Sequence, residues 1–140
     1  MSRPIIFVDT SGWGHYFIRN EARHLQARGL IFALRKKRYR FVTTNYVLME
    51  LVALMQSPLR RPRSEQVKVI ESIKRESWIE VVHIDEPLDA QAWELFRNRP
   101  DKTWSLVDCS SFVLMEKLDI LYALSTDHHF EQANFINLLK

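Results

Sequence analysis

Short apolar runs alternate along this chain with longer stretches in which apolar residues recur every three or four positions. A short apolar run bounded by turn residues reads as a buried strand, and the longer period reads as an amphipathic helix. Strands are therefore expected at Ile5–Val8, Arg40–Val42, Ile79–Ile84, Ile120–Leu124 and Phe135–Leu138. Helices are expected at about Glu21–Arg38, Thr44–Gln56, Ser64–Ser77, Glu86–Arg99 and Leu106–Leu118, with a short one after Asp127. Such alternation is the pattern of βαβ units, whose right-handed crossovers line parallel strands into one sheet covered on both faces. The expected fold is a three-layer α/β/α sandwich around a mainly parallel sheet of about five strands. The loop Ser57–Ser64 and the segment Asn98–Trp104 are too short to be domain linkers, so residues 1–140 are expected to form one domain.

Composition narrows this only a little. With 46% hydrophobic and 26% charged residues in 140, the chain is neither disordered nor fibrous in class. A net charge of +3 and a pI near 9.2 imply a mild attraction to polyanions. One cysteine, Cys109, excludes an internal disulfide framework and a cysteine-based zinc cluster. No apolar stretch reaches the roughly 18 residues of a membrane-spanning helix, and Ile5–Val8 is too short for the core of a signal peptide. A soluble, cytoplasmic protein with no membrane partner is expected.

The informative positions are charges where a core should be. The run IIFV ends on Asp9, followed by Thr10, Ser11 and Gly12. The helix TTNYVLMELVALMQ is apolar nearly all the way round, and Glu50 is its only carboxylate. In WSLVDCSSFVLMEKL, Asp108 is the only charge between Trp104 and Glu116, and ILYAL runs through Ser125 and Thr126 into Asp127. Each has an ordinary explanation: Glu50 at an edge reaching solvent or an arginine, and the three aspartates as helix caps. Together they say more, because the carboxyl ends of parallel strands and the early turns of the following helices share one edge of the sheet, where such folds bind ligands. Four carboxylates sharing a pocket repel one another unless a cation lies between them. With no His or Cys at metal spacing beside them, hard oxygen ligands point to Mg²⁺ or Mn²⁺.

The segments FVDTS, NYVLMEL, WSLVDCSS and ALSTDHHF, in this order and spacing, resemble the PIN domain, and within it the VapC-like ribonuclease toxins of toxin–antitoxin pairs. The resemblance covers essentially the whole chain. It implies that Asp9, Glu50, Asp108 and Asp127 are the four acidic positions of a metal-dependent endoribonuclease, supported by the hydroxyls of Thr10 and Ser125. Asp9, Asp108 and Asp127 are then the expected metal ligands, with Glu50 coordinating through water or orienting the attacking water. It further implies an RNA substrate, a small antitoxin as partner and a homodimer. Cys109 departs from the alanine frequent in the family, and His128 and His129 occupy variable positions, a tandem pair expected to be solvated.

Candidates for RNA or partner contact are the loop arginines Arg60, Arg61 and Arg63 and the run Arg35–Arg40, with Trp13, Tyr16 and Trp104 as bases' stacking partners or else as core. A haloacid-dehalogenase-type phosphatase would want a second aspartate at position 11, where this chain has Ser11. The remaining alternative is a non-catalytic PIN-like module that binds RNA or protein.

Overall fold

The computed structural model describes residues 4–139. Five strands form one sheet: β1 (Ile5–Val8), β2 (Arg40–Thr44), β3 (Ile79–Val82), β4 (Tyr122–Leu124) and β5 (Ile136–Asn137). Their spatial order is β3-β2-β1-β4-β5, and every pairing is parallel. Strand β1 is central and carries a continuous apolar run because both its faces are covered; Ile6, Phe7 and Val8 are fully buried.

Seven helices fill the connections: α1 (Thr10–Phe17), α2 (His24–Lys36), α3 (Asn45–Gln56), α4 (Arg63–Arg75), α5 (Glu86–Asn98), α6 (Leu106–Lys117) and α7 (His129–Gln132). They pack in two groups, α1 with α2 and α3 and α3 with α4, against α5 with α6 and α6 with α7. Right-handed crossovers put these groups on opposite faces, because the chain steps one way from β1 to β3 and then crosses back to β4 on the other side of β1. The reversal leaves a crevice between the carboxyl ends of β1 and β4.

The expected elements are present with shifted ends, β2 running on to Thr44 and α4 beginning at Arg63 while others are trimmed, and one helix was not expected. TSGWGHYF, which opens on the turn signal Thr10-Ser11-Gly12 and holds two glycines, a residue that disfavours helix, is not expected to be helical. It forms α1 because packing requires the glycine: a Cβ on Gly12 would run into the carbonyl oxygen of Leu124, so only glycine lets α1 lie directly over the end of β4.

Candidate metal centre

Asp9 occupies the N-cap position of α1, yet its side chain caps nothing. It is 4% exposed; Oδ2 accepts from the Ser125 hydroxyl at 3.1 Å, and Oδ1 is buried without a hydrogen-bond partner. Burial, with the negative charges of Asp108 and Glu50, pushes its pKa from 3.8 to about 8. A buried oxygen of this kind lacks what native structures almost always supply. Capping, the ordinary reading of Asp9, is thereby excluded.

The serine beneath it has a fully assigned proton. Ser125 Oγ accepts from the backbone N–H of Asp127 at 2.9 Å and lies 3.1 Å from Ser11 Oγ, which itself accepts from the Thr126 N–H at 3.0 Å. Since Ser125 has one proton and gives it to Asp9, Ser11 is the donor in the pair. These bonds lock the end of β4 against the start of α1. Asn137, which sequence reasoning missed, braces the same turn from β5: its Oδ1 accepts from Ser125 N–H and its Nδ2 donates to the Asp127 carbonyl, both at 3.2 Å. A lone amide in the run Phe135–Leu138 was the available signal.

Glu50 comes from the second turn of α3, and the contact between α3 and α6 brings it towards Asp108. Thr10 Oγ1 donates to Glu50 Oε1 at 2.5 Å, and among the described residues no hydrogen bond engages Oε2. Burial raises the Glu50 pKa, with Asp108 and Asp127 adding to it and the Thr10 bond opposing. Asp108, the third residue of α6, closes a capping box with Ser105: Ser105 N–H donates to Asp108 Oδ2, and Asp108 N–H to Ser105 Oγ, each at 3.0 Å. Burial raises its pKa, and the Asp127 charge adds to that. Capping therefore engages Oδ2 of Asp108 and does not use Oδ1. Asp127 is half-buried, and its Oδ1 accepts from the His129 backbone N–H at 3.0 Å.

The structure thus brings Asp9, Glu50, Asp108, Asp127, Thr10 and Ser125 to one edge of the sheet, where the charges of Glu50, Asp108 and Asp127 each raise the pKa of another of the acids. Among the described residues, no lysine or arginine forms an ion pair with any of them. The oxygen donors, their mutual repulsion and the orphaned Asp9 Oδ1 fit a hard divalent cation. The two histidines divide. His128 is solvated as expected, its side chain 67% exposed, whereas His129 is 15% exposed and lies among the acids, with Nδ1 2.9 Å from Asp108 Oδ2 and 3.1 Å from Asp127 Oδ1.

An open groove of about 500 Å³, lined by Tyr46, Met49, Ala53, Leu106 and Val107, reaches Glu50. The aromatic candidates do not line it. Trp13 is fully buried, with its indole N–H on Thr43 Oγ1 at 3.1 Å, and Trp104 is buried with its N–H on Gln132. Half-buried Tyr16 packs on Trp13 and Trp78. The stacking expectation for Trp13 and Trp104 is corrected: both rings are core. Arg61 is held by Glu65 through two bonds of 2.6 and 2.9 Å, while Arg60 and Arg63 are exposed beyond the far end of α3. Arg35 lies over the Trp78 ring and Arg40 pairs with Glu80, at the amino edge of the sheet, opposite the acids.

A family model, PIN domain, matches residues 6–136. The chain is 31% identical over 134 residues to the 23S rRNA-specific endonuclease VapC20 of Mycobacterium tuberculosis, covering 96% of this chain and 98% of that protein. The crystal structure of that VapC20, described as a sarcin-ricin loop cleaving toxin, superposes with a TM-score of 0.82 at 30% identity, covering 94% of this chain and 96% of that one. FitAcB from Neisseria gonorrhoeae has a TM-score of 0.67 at 13% identity, with coverage of 95% and 96%. VapBC2 from Rickettsia felis, bound to a DNA fragment from their promoter, has 0.65 at 14%, with coverage of 96% and 97%. The last two are similar in fold alone.

Proposed function

This chain belongs to the PIN-domain family, and from that premise we propose that it is a Mg²⁺- or Mn²⁺-dependent endoribonuclease, the toxin of a toxin–antitoxin pair. The observation that carries the reading is the partnerless, buried Oδ1 of Asp9 within a group of four acids that, among the described residues, no lysine or arginine pairs with. Asp9, Asp108 and Asp127 would hold the cation, and Thr10 and Ser125 fix the carboxylates of Glu50 and Asp9 by hydrogen bonds. When bound, a divalent ion lowers the pKa of a water molecule and polarises a phosphoryl oxygen. Glu50, fixed at Oε1 by Thr10, orients the attacking water through Oε2 and takes its proton as the water oxygen bonds to phosphorus and the P–O bond to the leaving ribose oxygen breaks, that oxygen taking a proton from solvent. The substrate reaches Glu50 along the open groove, and Arg60 and Arg63 contact phosphates further out. The 23S rRNA acted on by the mycobacterial relative is the first substrate to try. A small antitoxin as inhibitor and a homodimer as the working assembly complete the proposal.

The test is cleavage of labelled ribosomal RNA by purified protein with Mg²⁺ or Mn²⁺, with EDTA and Asp9→Asn as controls. Discrete fragments lost in both controls support the nuclease. Folded, antitoxin-free protein that binds Mn²⁺ and RNA but cuts nothing would favour the non-catalytic PIN-like module.

A further inference from the structure

His129 belongs to no part of the proposed reaction, yet its ring lies between the carboxylates of two of the acids. Its Nδ1 lies within hydrogen-bond distance of a carboxylate oxygen on each of two elements: Asp108 Oδ2 on α6 at 2.9 Å and Asp127 Oδ1, after β4, at 3.1 Å. Its Nε2 lies 3.1 Å from Thr103 Oγ1. Ionised carboxylates only accept, so the nitrogen facing both of them must carry a proton. Nδ1–H is thus the donor, and the threonine hydroxyl satisfies Nε2 at the other side of the ring.

This arrangement selects oxygens. Asp108 Oδ2 takes both protein donors, Ser105 N–H at 3.0 Å and His129 Nδ1–H, which leaves Oδ1 for a ligand. Asp9 shows the same division, with Ser125 on Oδ2 and Oδ1 without a partner. His128 gives a contrast on the same helix start, since its Nδ1 lies 3.8 Å from Asp127 and its ring is in solvent.

We propose that His129 is a positioning residue for the metal centre, tying Asp108 to Asp127 by donating Nδ1–H to Asp108 Oδ2 and its backbone N–H to Asp127 Oδ1, and turning one Asp108 oxygen towards the ion rather than binding the ion itself. The inference rests on the acidic cluster being a metal centre. A group that orients a metal ligand in this way changes affinity for the ion by about 10–100-fold when removed.

The experiment measures Mn²⁺ affinity by calorimetry and by metal-induced thermal shift on the wild-type chain, His129→Ala, His129→Asn and His128→Ala. Asparagine places an amide N–H near the Nδ1 position and removes the ring. The expected result is a Kd weakened by about 10–100-fold in His129→Ala, most of the affinity kept in His129→Asn, and no change in His128→Ala. On the metal-free wild-type chain, ¹⁵N-resolved NMR of the imidazole should show His129 protonated at Nδ1, a reading that needs no variant to fold. Unchanged affinity in a folded His129→Ala overturns the inference while leaving the metal centre intact. So does His129→Asn binding no better than alanine, which would make the ring itself a ligand, or a wild-type imidazole unprotonated at Nδ1. A wild-type chain that binds no Mn²⁺ overturns the metal centre and the inference with it.

Discussion

Asp9→Asn should stabilise the metal-free protein, and by an amount that grows with pH. A carboxyl whose pKa rises from 3.8 to about 8 on folding favours the folded state only while protonated. Its contribution is whole below about pH 4 and is lost as pH climbs through about 8. Each unit of pH between those values removes about 1.4 kcal/mol, so the cost relative to the unfolded chain is about 1.5 kcal/mol at pH 5 and about 4 kcal/mol at pH 7. Asparagine is neutral in both states and keeps an oxygen for the Ser125 hydroxyl, so it escapes the cost. Glu50 and Asp108, shifted in the same direction, are present in both proteins. The stability difference between variant and wild type should therefore widen by about 2.5 kcal/mol from pH 5 to pH 7, or roughly 8 °C in Tm for a chain of this size. The assay is thermal and urea denaturation in EDTA at both pH values. Adding Mn²⁺ at about 100 times its Kd should return about 2.7 kcal/mol to the wild type and nothing to Asp9→Asn. A difference that is constant with pH, or a variant that loses stability relative to wild type as pH rises, would refute the buried-charge account.

Three further outcomes follow from the geometry. Ser125→Ala leaves the Asp127 N–H without an acceptor and Asp9 Oδ2 without a donor, and should cost about 1–3 kcal/mol in urea denaturation, besides weakening Mn²⁺ binding. Gly12→Ala drives a methyl into the Leu124 carbonyl and should cost about 1–3 kcal/mol or more, whereas the same change at Gly29, where a Cβ meets nothing, should be neutral or stabilising by circular dichroism melts. Arg63→Ala should reduce the salt dependence of RNA binding by about 0.7 in log–log slope for each single-strand phosphate that the arginine neutralises, with Mn²⁺ affinity unchanged. An unaltered slope would remove that arginine from the RNA surface.

Much of the architecture was legible because the period of apolar residues is a local property. The runs at Ile5–Val8 and Tyr122–Leu124 lie within the expected strands, and alternation with helices leads to the parallel sheet. Helix α1 was not legible, since Gly12 answers to a neighbour more than one hundred residues away in the chain, the carbonyl of Leu124. The four acids stood out as charges in apolar surroundings, a contrast that needs no fold to be seen.

What the sequence determined by itself, then, is the set of elements other than α1, their parallel arrangement and the four acids as charges in apolar surroundings, because burial patterns and unpaired charges are written residue by residue. What only the tertiary structure decided is how each side chain spends its atoms. Asp9 at an N-cap position that it does not cap, Asp108 dividing its oxygens, Asn137 bracing the turn and His129 buried while His128 is solvated all depend on which distant groups meet. Hydrogen bonds select by distances of a few tenths of an ångström between atoms far apart in the chain, and adjacent histidines, identical in a one-dimensional reading, separate only when one side of α7 is turned towards the acids and the other towards water.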